Sequence, residues 1–177
     1  MLKLSGGYTL YELLVTVVII SAVLTLGIPS FSDVLARQRQ RVELNALFHA
    51  IHLAKKESIV RNRVVTICPS RDLEQCDSTT NWSEGWLIFE NTDKDHPARI
   101  DDAEPIVARH KVGRNVTLKS NRRSYTFRST QKRATNGTIV VCDNTARIRP
   151  RALVLSYTGR PRITHDNRYG TPYSCSD

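Results

Sequence analysis

The residues that most constrain this chain lie at its start: Leu13 to Ile28 is apolar except for Thr16, Ser21, Thr25 and Gly27, and the carboxylate of Glu12 stands directly before that run. A helix crossing ~30 Å of hydrocarbon needs about 20 residues, so the run is long enough only if it begins at Tyr8 and takes in Glu12. An unpaired carboxylate at such a place costs about 2.5 to 3.5 kcal/mol on insertion scales. Glu12 is therefore expected to have a dedicated partner. A secretory signal peptide would show small residues at a cleavage site after its apolar core. Here the small pair, Gly6-Gly7, precedes the core.

Pro29 lacks an N–H and is expected to kink the helix. Beyond it, Phe31, Val34 and Leu35, then Leu44, Leu47, Phe48, Ile51 and Ala54, recur at three- and four-residue spacing, which predicts an amphipathic helix to about Arg61. One helix over 8–62 would be about 82 Å long at 1.5 Å per residue, too long for a globular core, so half of it is expected to protrude. Residues 8–28 are the expected transmembrane part. Arg37-Gln38-Arg39-Gln40-Arg41 reads as a polar collar without an apolar face. His49 and His52, three residues apart with no acid or cysteine to complete a site, read as surface or packing residues.

After the helix the apolar period shortens. Val64 to Cys68, Trp86 to Phe89, Ile106 to Arg109, Val116 to Leu118, Tyr125 to Phe127, Thr138 to Cys142 and Leu153 to Tyr157 read as strands, and Asn136-Gly137 reads as a tight turn. Close strands without intervening helices predict an α+β fold: a long N-terminal helix packed on an antiparallel β head spanning 64–177. Cys68, Cys76, Cys142 and Cys175 all follow the helix, an even set that reads as two disulfides in an extracytoplasmic domain. Three pairings are possible. Cys68 with Cys76 and Cys142 with Cys175 is the favoured one, a local clip and a long-loop clip that ties the C-terminal segment to a central strand.

The net charge of +9 is unevenly placed: residues 106–177 carry 15 Lys or Arg against three Asp or Glu. Arg147, Arg149 and Arg151 alternate, so an extended chain would bring them out on one face, and Pro150 points to an edge or loop. Arg160 and Arg162 repeat the alternation around Pro161, and Arg168 lies further on. Arginine forks onto phosphate oxygens through two N–H bonds. Tyr157, Tyr169 and Tyr173 are interleaved and suit stacking on bases or packing equally well. A solvated basic face, or one that docks anionic lipid or a neighbouring subunit, is the plainer alternative.

Gly7-Tyr8-Thr9-Leu10-Tyr11-Glu12-Leu13-Leu14-Val15 resembles the class III signal of type IV pilins and type II secretion pseudopilins. The resemblance implies that residues 1–7 are a leader removed by a prepilin peptidase after Gly7, that Tyr8 becomes the N-methylated N-terminus, and that Glu12 meets the α-amino group of a neighbouring subunit. Tyr8 departs from the family's usual Phe. Asn81-Trp82-Ser83-Glu84-Gly85-Trp86-Leu87-Ile88-Phe89-Glu90-Asn91 and Leu153-Val154-Leu155-Ser156-Tyr157-Thr158-Gly159-Arg160-Pro161-Arg162 are similar to two strands of the FimT/GspH group of minor pilins. Gly159-Arg160-Pro161-Arg162 matches the Gly-Arg-x-Arg motif of its FimT-like members, which implies non-specific DNA binding in natural transformation. The implied partners are DNA, other pilins, the peptidase and the inner membrane, with the head in the periplasm before assembly into a pilus. A GspH-like pseudopilin without a DNA role is the alternative.

Other patterns are weaker. Asn91, Asp93, Asp95 and Asp102 have the spacing of a calcium loop, but His96 stands where Gly is required and Pro97 and Arg99 take ligand positions, so an acidic loop is the better reading. No phosphate loop, nucleophile elbow or paired-acid cleft is present in the sequence, and no enzyme activity, metal or cofactor is expected.

Overall fold

The computed structural model describes residues 7–129 and 133–175, apart from the side chains of residues 26–30 and Arg133. The leader, except Gly7, lies outside the described residues. Helix α1 runs Leu10–Val60, continuing through Pro29. Its start is a capping box: the Thr9 hydroxyl accepts the Glu12 N–H at 3.3 Å, and the Glu12 carboxylate accepts the Thr9 N–H at 2.9 Å. The partner of Glu12 within its own chain is thus Thr9, three residues back. The helix ends in a Schellman motif, with Arg63 N–H donating to Ser58 C=O at 3.2 Å and Asn62 at φ 51°.

Two units divide the chain, residues 1–35 and 36–177. In the first, the apolar side chains of α1 are exposed, among them Leu14, Val18, Ile20 and Leu24. Among the described residues, no helix is long and apolar enough to cross a membrane.

The second unit is the head. Strands β1 (Val65–Pro69), β2 (Gly85–Glu90), β3 (Ile106–Lys111), β4 (Val116–Ser120), β5 (Tyr125–Arg128), β6 (Arg133–Ala134), β7 (Gly137–Asp143), β8 (Arg151–Leu155) and β9 (Pro161–Thr164) form two antiparallel sheets, ordered β3-β2-β1-β5-β6 and β4-β7-β8-β9. Leu44, Leu47, Ile51 and Ala54 of α1 share one core with Val65, Ile67 and Phe127 of the first sheet and Leu118, Ile139, Val141, Leu153 and Leu155 of the second. Burial of each Val, Leu, Ile or Phe side chain among these stabilises by about 1.5–3 kcal/mol, which is why the short apolar strand runs were visible in sequence. A smaller core of Cys68, Leu87, Phe89 and Ala98 covers the other face of β1 and β2. Every residue of β1 and β2 is therefore buried.

Three expectations change. Asn136-Gly137 is not a hairpin turn, because β6 and β7 belong to different sheets and neither residue has a positive φ. Gly137 is there for space: a Cβ would lie 2.6 Å from Asn121 Oδ1 and 2.8 Å from Arg122 Cγ. Gln40 of the polar collar faces inward rather than to solvent, with buried Ala36 just before the collar and buried Glu43 one turn on. Gln40 Nε2 donates to Val141 C=O and Arg149 C=O, both at 3.0 Å. Finally, β8 stops at Leu155 and the chain returns as β9, an edge strand that apolar patterning alone does not announce, since Pro161 and Arg162 open it.

Candidate nucleic-acid interface

The β8–β9 connection is a tight turn closed by several hydrogen bonds. Gly159 N–H donates to Ser156 C=O at 2.9 Å, Ser156 N–H to Arg160 C=O at 3.2 Å, and Arg160 N–H to Ser156 Oγ at 3.2 Å. Gly159 adopts φ +69°, a conformation that costs an L side chain about 1–2 kcal/mol. The turn is also docked: Lys55 Nζ donates to Thr158 C=O at 2.9 Å and Ala134 N–H to Tyr157 C=O at 2.8 Å. Arg160 emerges from it exposed. Arg162 is exposed on β9, in register with Val154 and so on the face opposite Leu153 and Leu155. Neither guanidinium has an ion pair among the described residues.

Arg147, Arg149 and Arg151 lie at the other end of β8. Arg147 and Arg149 are exposed in the β7–β8 loop, and the Arg149 carbonyl is held by Gln40. Arg151 shares the strand face of Leu153 and Leu155; it is half-buried and its Nε is buried without a hydrogen-bond partner. Gln40 and Lys55, which tether the two loops, are fifteen residues apart on α1, about 22 Å at 1.5 Å per residue. The basic C-terminal segment is therefore two clusters at two ends of the head.

Arg168 belongs to a third place. The tail beyond β9 forms a turn in which Asn167 Oδ1 accepts the N–H groups of Tyr169 and Thr171, with the Arg168 guanidinium 4.6 Å over the Tyr169 ring. Tyr157 and Tyr169 are exposed and Tyr173 is half-buried. The tail is held by the Cys142–Cys175 disulfide and by Lys119 Nζ donating to Cys175 C=O at 3.0 Å. Cys68–Cys76 closes the loop after β1. Inside that loop, the N–H groups of Gln75 and then Glu74 hold the Asp72 carboxyl below its ordinary range.

In the acidic loop after β2, Asp93, Asp101 and Glu104 bring carboxylate oxygens within 4.8 Å of one another. Glu104, not the Asp102 of the sequence pattern, completes the group, and its oxygens already accept the Thr92 and Asp101 N–H groups. His49 and His52 are exposed beside the Phe48 ring. Sequence reading missed His110, which stacks on Trp86 at 4.8 Å and meets Glu43 at 2.8 Å, while Glu43 also accepts the Gly113 N–H at 2.9 Å. No apolar period marks a buried acid of this kind.

A family model described as type II transport protein GspH matches residues 43–159. The match ends one residue before Arg160. No curated protein matches the sequence. Among solved structures, the type IV minor pilin FimU of Pseudomonas aeruginosa is similar with TM-score 0.53 and 21% identity over 78% of this chain and 96% of that one. The minor pseudopilin EpsH from the type 2 secretion system of Vibrio cholerae is similar with TM-score 0.51 and 10% identity over 71% of this chain and 96% of that one.

Proposed function

The chain belongs to the GspH family of minor pilins and pseudopilins, and from that premise we propose that it is a type IV minor pilin whose head binds DNA non-specifically during uptake in natural transformation. Membership itself makes it a subunit that assembles with other pilins into a pilus or pseudopilus. The observation that carries the DNA reading is the pair Arg160 and Arg162: both are exposed and without an ion pair among the described residues, Arg160 on a turn whose backbone is fixed from α1 and β6 and Arg162 on the strand that follows it. A rigid turn spares the ordering entropy that a flexible basic tail would lose on binding. Forked N–H bonds to phosphate give affinity without base identity.

We propose the following for the N-terminal segment as well. Prepilin peptidase cuts after Gly7, Tyr8 is methylated, 8–28 anchors the chain in the inner membrane with the head in the periplasm, and Glu12 pairs with a neighbour's α-amino group on assembly. Its support is the signal-like sequence and the exposed apolar side chains of α1. Mass spectrometry of assembled fibres is expected to find N-methyltyrosine first; a chain still beginning at Met1 overturns this part.

The test of DNA binding uses the full chain in detergent with labelled random duplex. Four to six phosphate contacts predict a log-log salt slope of about −3.5 to −5.5. Arg160→Gln with Arg162→Gln is expected to reduce the slope by about 2, with an equal affinity loss on all sequences. In cells, transformation falls while fibres still assemble. Wild-type chain that fails to retain duplex at low salt overturns the proposal.

A further inference from the structure

Resting on that DNA reading, we propose that the phosphate-binding surface is a belt of cations centred on Arg128, running from the Gly159-Arg160 turn past the end of α1 to the outer face of β5. Three clefts that share lining residues define it. The first, about 360 Å³, is lined by apolar Ile59, Phe127 and Ala134 and by Lys55, Arg128 and Arg160. The second, about 550 Å³, shares Arg128 and Ser129 with the first and adds Arg63 and Lys94. The third, about 480 Å³, shares Arg128 and Lys94 with the second and adds Arg122 and Arg123.

Charge bookkeeping separates this belt from an ordinary mixed surface. Arg61 lines the second cleft, but Glu57 and Glu90, each at 2.6 Å, already neutralise it. Asp95 is the acid lining the third, and its oxygens accept the Asn91 side-chain amide at 3.0 Å and the Arg99 N–H at 2.8 Å. The other cations have no ion pair among the described residues. Arg63, Lys94, Arg122, Arg123, Arg128 and Arg160 are all exposed. From Arg123 to Arg128 the extended chain covers about 16 Å, enough to follow several phosphates of one strand. Arg147 and Arg149, at the Gln40 end of the helix, are not part of the belt.

The experiment compares full-length variants on the same random duplex. Arg63→Gln, Lys94→Gln and Arg128→Gln together are expected to reduce the salt slope by about 2.5 and to lower affinity at least tenfold at 0.1 M salt, roughly 0.9 in slope per phosphate lost. Arg147→Gln with Arg149→Gln is expected to change the slope by less than about 0.5 on the same scale. Arg63→Lys with Arg128→Lys, which keeps the charges, retains most of the binding, and an unchanged melting curve for each variant separates lost contacts from lost fold. A triple variant that binds like wild type, while the Arg160 and Arg162 variant is weakened, overturns the belt and leaves the DNA reading standing. Wild-type chain that does not bind removes both. Loss of co-purifying pilins with DNA binding intact assigns the belt to a neighbouring subunit and overturns it as well.

Discussion

At one end of the helical span in the head, Gln40 holds the carbonyl of Arg149; at the other, Lys55 holds the carbonyl of Thr158. Both ties join α1 to a loop flanking β8, and both loops carry arginines from one sequence segment. Their surroundings are opposite. Gln40 is 4% exposed and spends two N–H bonds on two carbonyls, with buried Glu43 one turn on. Lys55 is half-buried, and the turn it holds presents to solvent the Arg160 guanidinium, which has no ion pair among the described residues. A buried tie must be neutral or fully partnered, because an isolated charge cannot be desolvated cheaply. An exposed tie can stay charged and serve a ligand, so the Gln40 end suits stability and the Lys55 end suits the contact proposed for it.

The largest effect that would sharpen this contrast is at Glu43. Glu43→Ala leaves the Gly113 N–H and the His110 ring without their acceptor, and is expected to cost about 2–4 kcal/mol in urea unfolding. DNA affinity of the folded protein stays unchanged. Reduced DNA binding with stability intact would break the assignment of this end to stability. Gln40→Ala, which removes a bond to the buried Val141 carbonyl and a part-buried one to the Arg149 carbonyl without stranding a charge, is expected to cost about 2 kcal/mol with the same lack of effect on DNA.

At the opposite end, Gly159→Ala forces φ +69° on a side chain and is expected to cost about 1–2 kcal/mol. Its Cβ would meet Ala134, Lys55 and Phe127 at 3.4–3.5 Å, ordinary contact distances, so crowding adds little. Unlike the Gln40 variant, this one is expected to weaken DNA binding, because the turn that aims Arg160 relaxes. Calorimetry paired with a binding titration distinguishes the two cases.

How much of this was legible in the sequence follows from which forces leave a pattern. Apolar burial repeats with the element's period, so Leu44, Leu47, Ile51 and the runs around Ile88, Ile139 and Leu153 marked the helix and the main strands. The last strand hid because its outward residue is Arg162 and its first is proline. Polar burial has no period, so Gln40 was read only as part of a polar collar, and Glu43 and His110 were not singled out. The arginine alternation was read as one face, since residues close in sequence look close in space; a five-residue strand between Arg149 and Arg160 puts them at opposite ends. The cations around Arg128 come from α1, β5 and four loops, and only the fold collects them.

The smallest expected effect asks whether Lys55 acts as a tie or as a contact. Its bond to Thr158 C=O is partly solvated, so Lys55→Gln is expected to cost no more than about 1 kcal/mol of stability. On DNA the two roles differ. If Lys55 reaches a phosphate, the slope falls by about 0.9, and the change adds to that of Arg160→Gln in the double variant, as independent contacts do. If it only holds the turn, Lys55→Gln has no effect once Arg160 is gone, because there is no longer a guanidinium to aim. Lys55→Arg, which keeps charge and donor, is expected to bind like wild type in both cases. Additive slopes place Lys55 in the belt with Arg128; a vanishing second effect makes it the exposed counterpart of Gln40, a tie that happens to be charged.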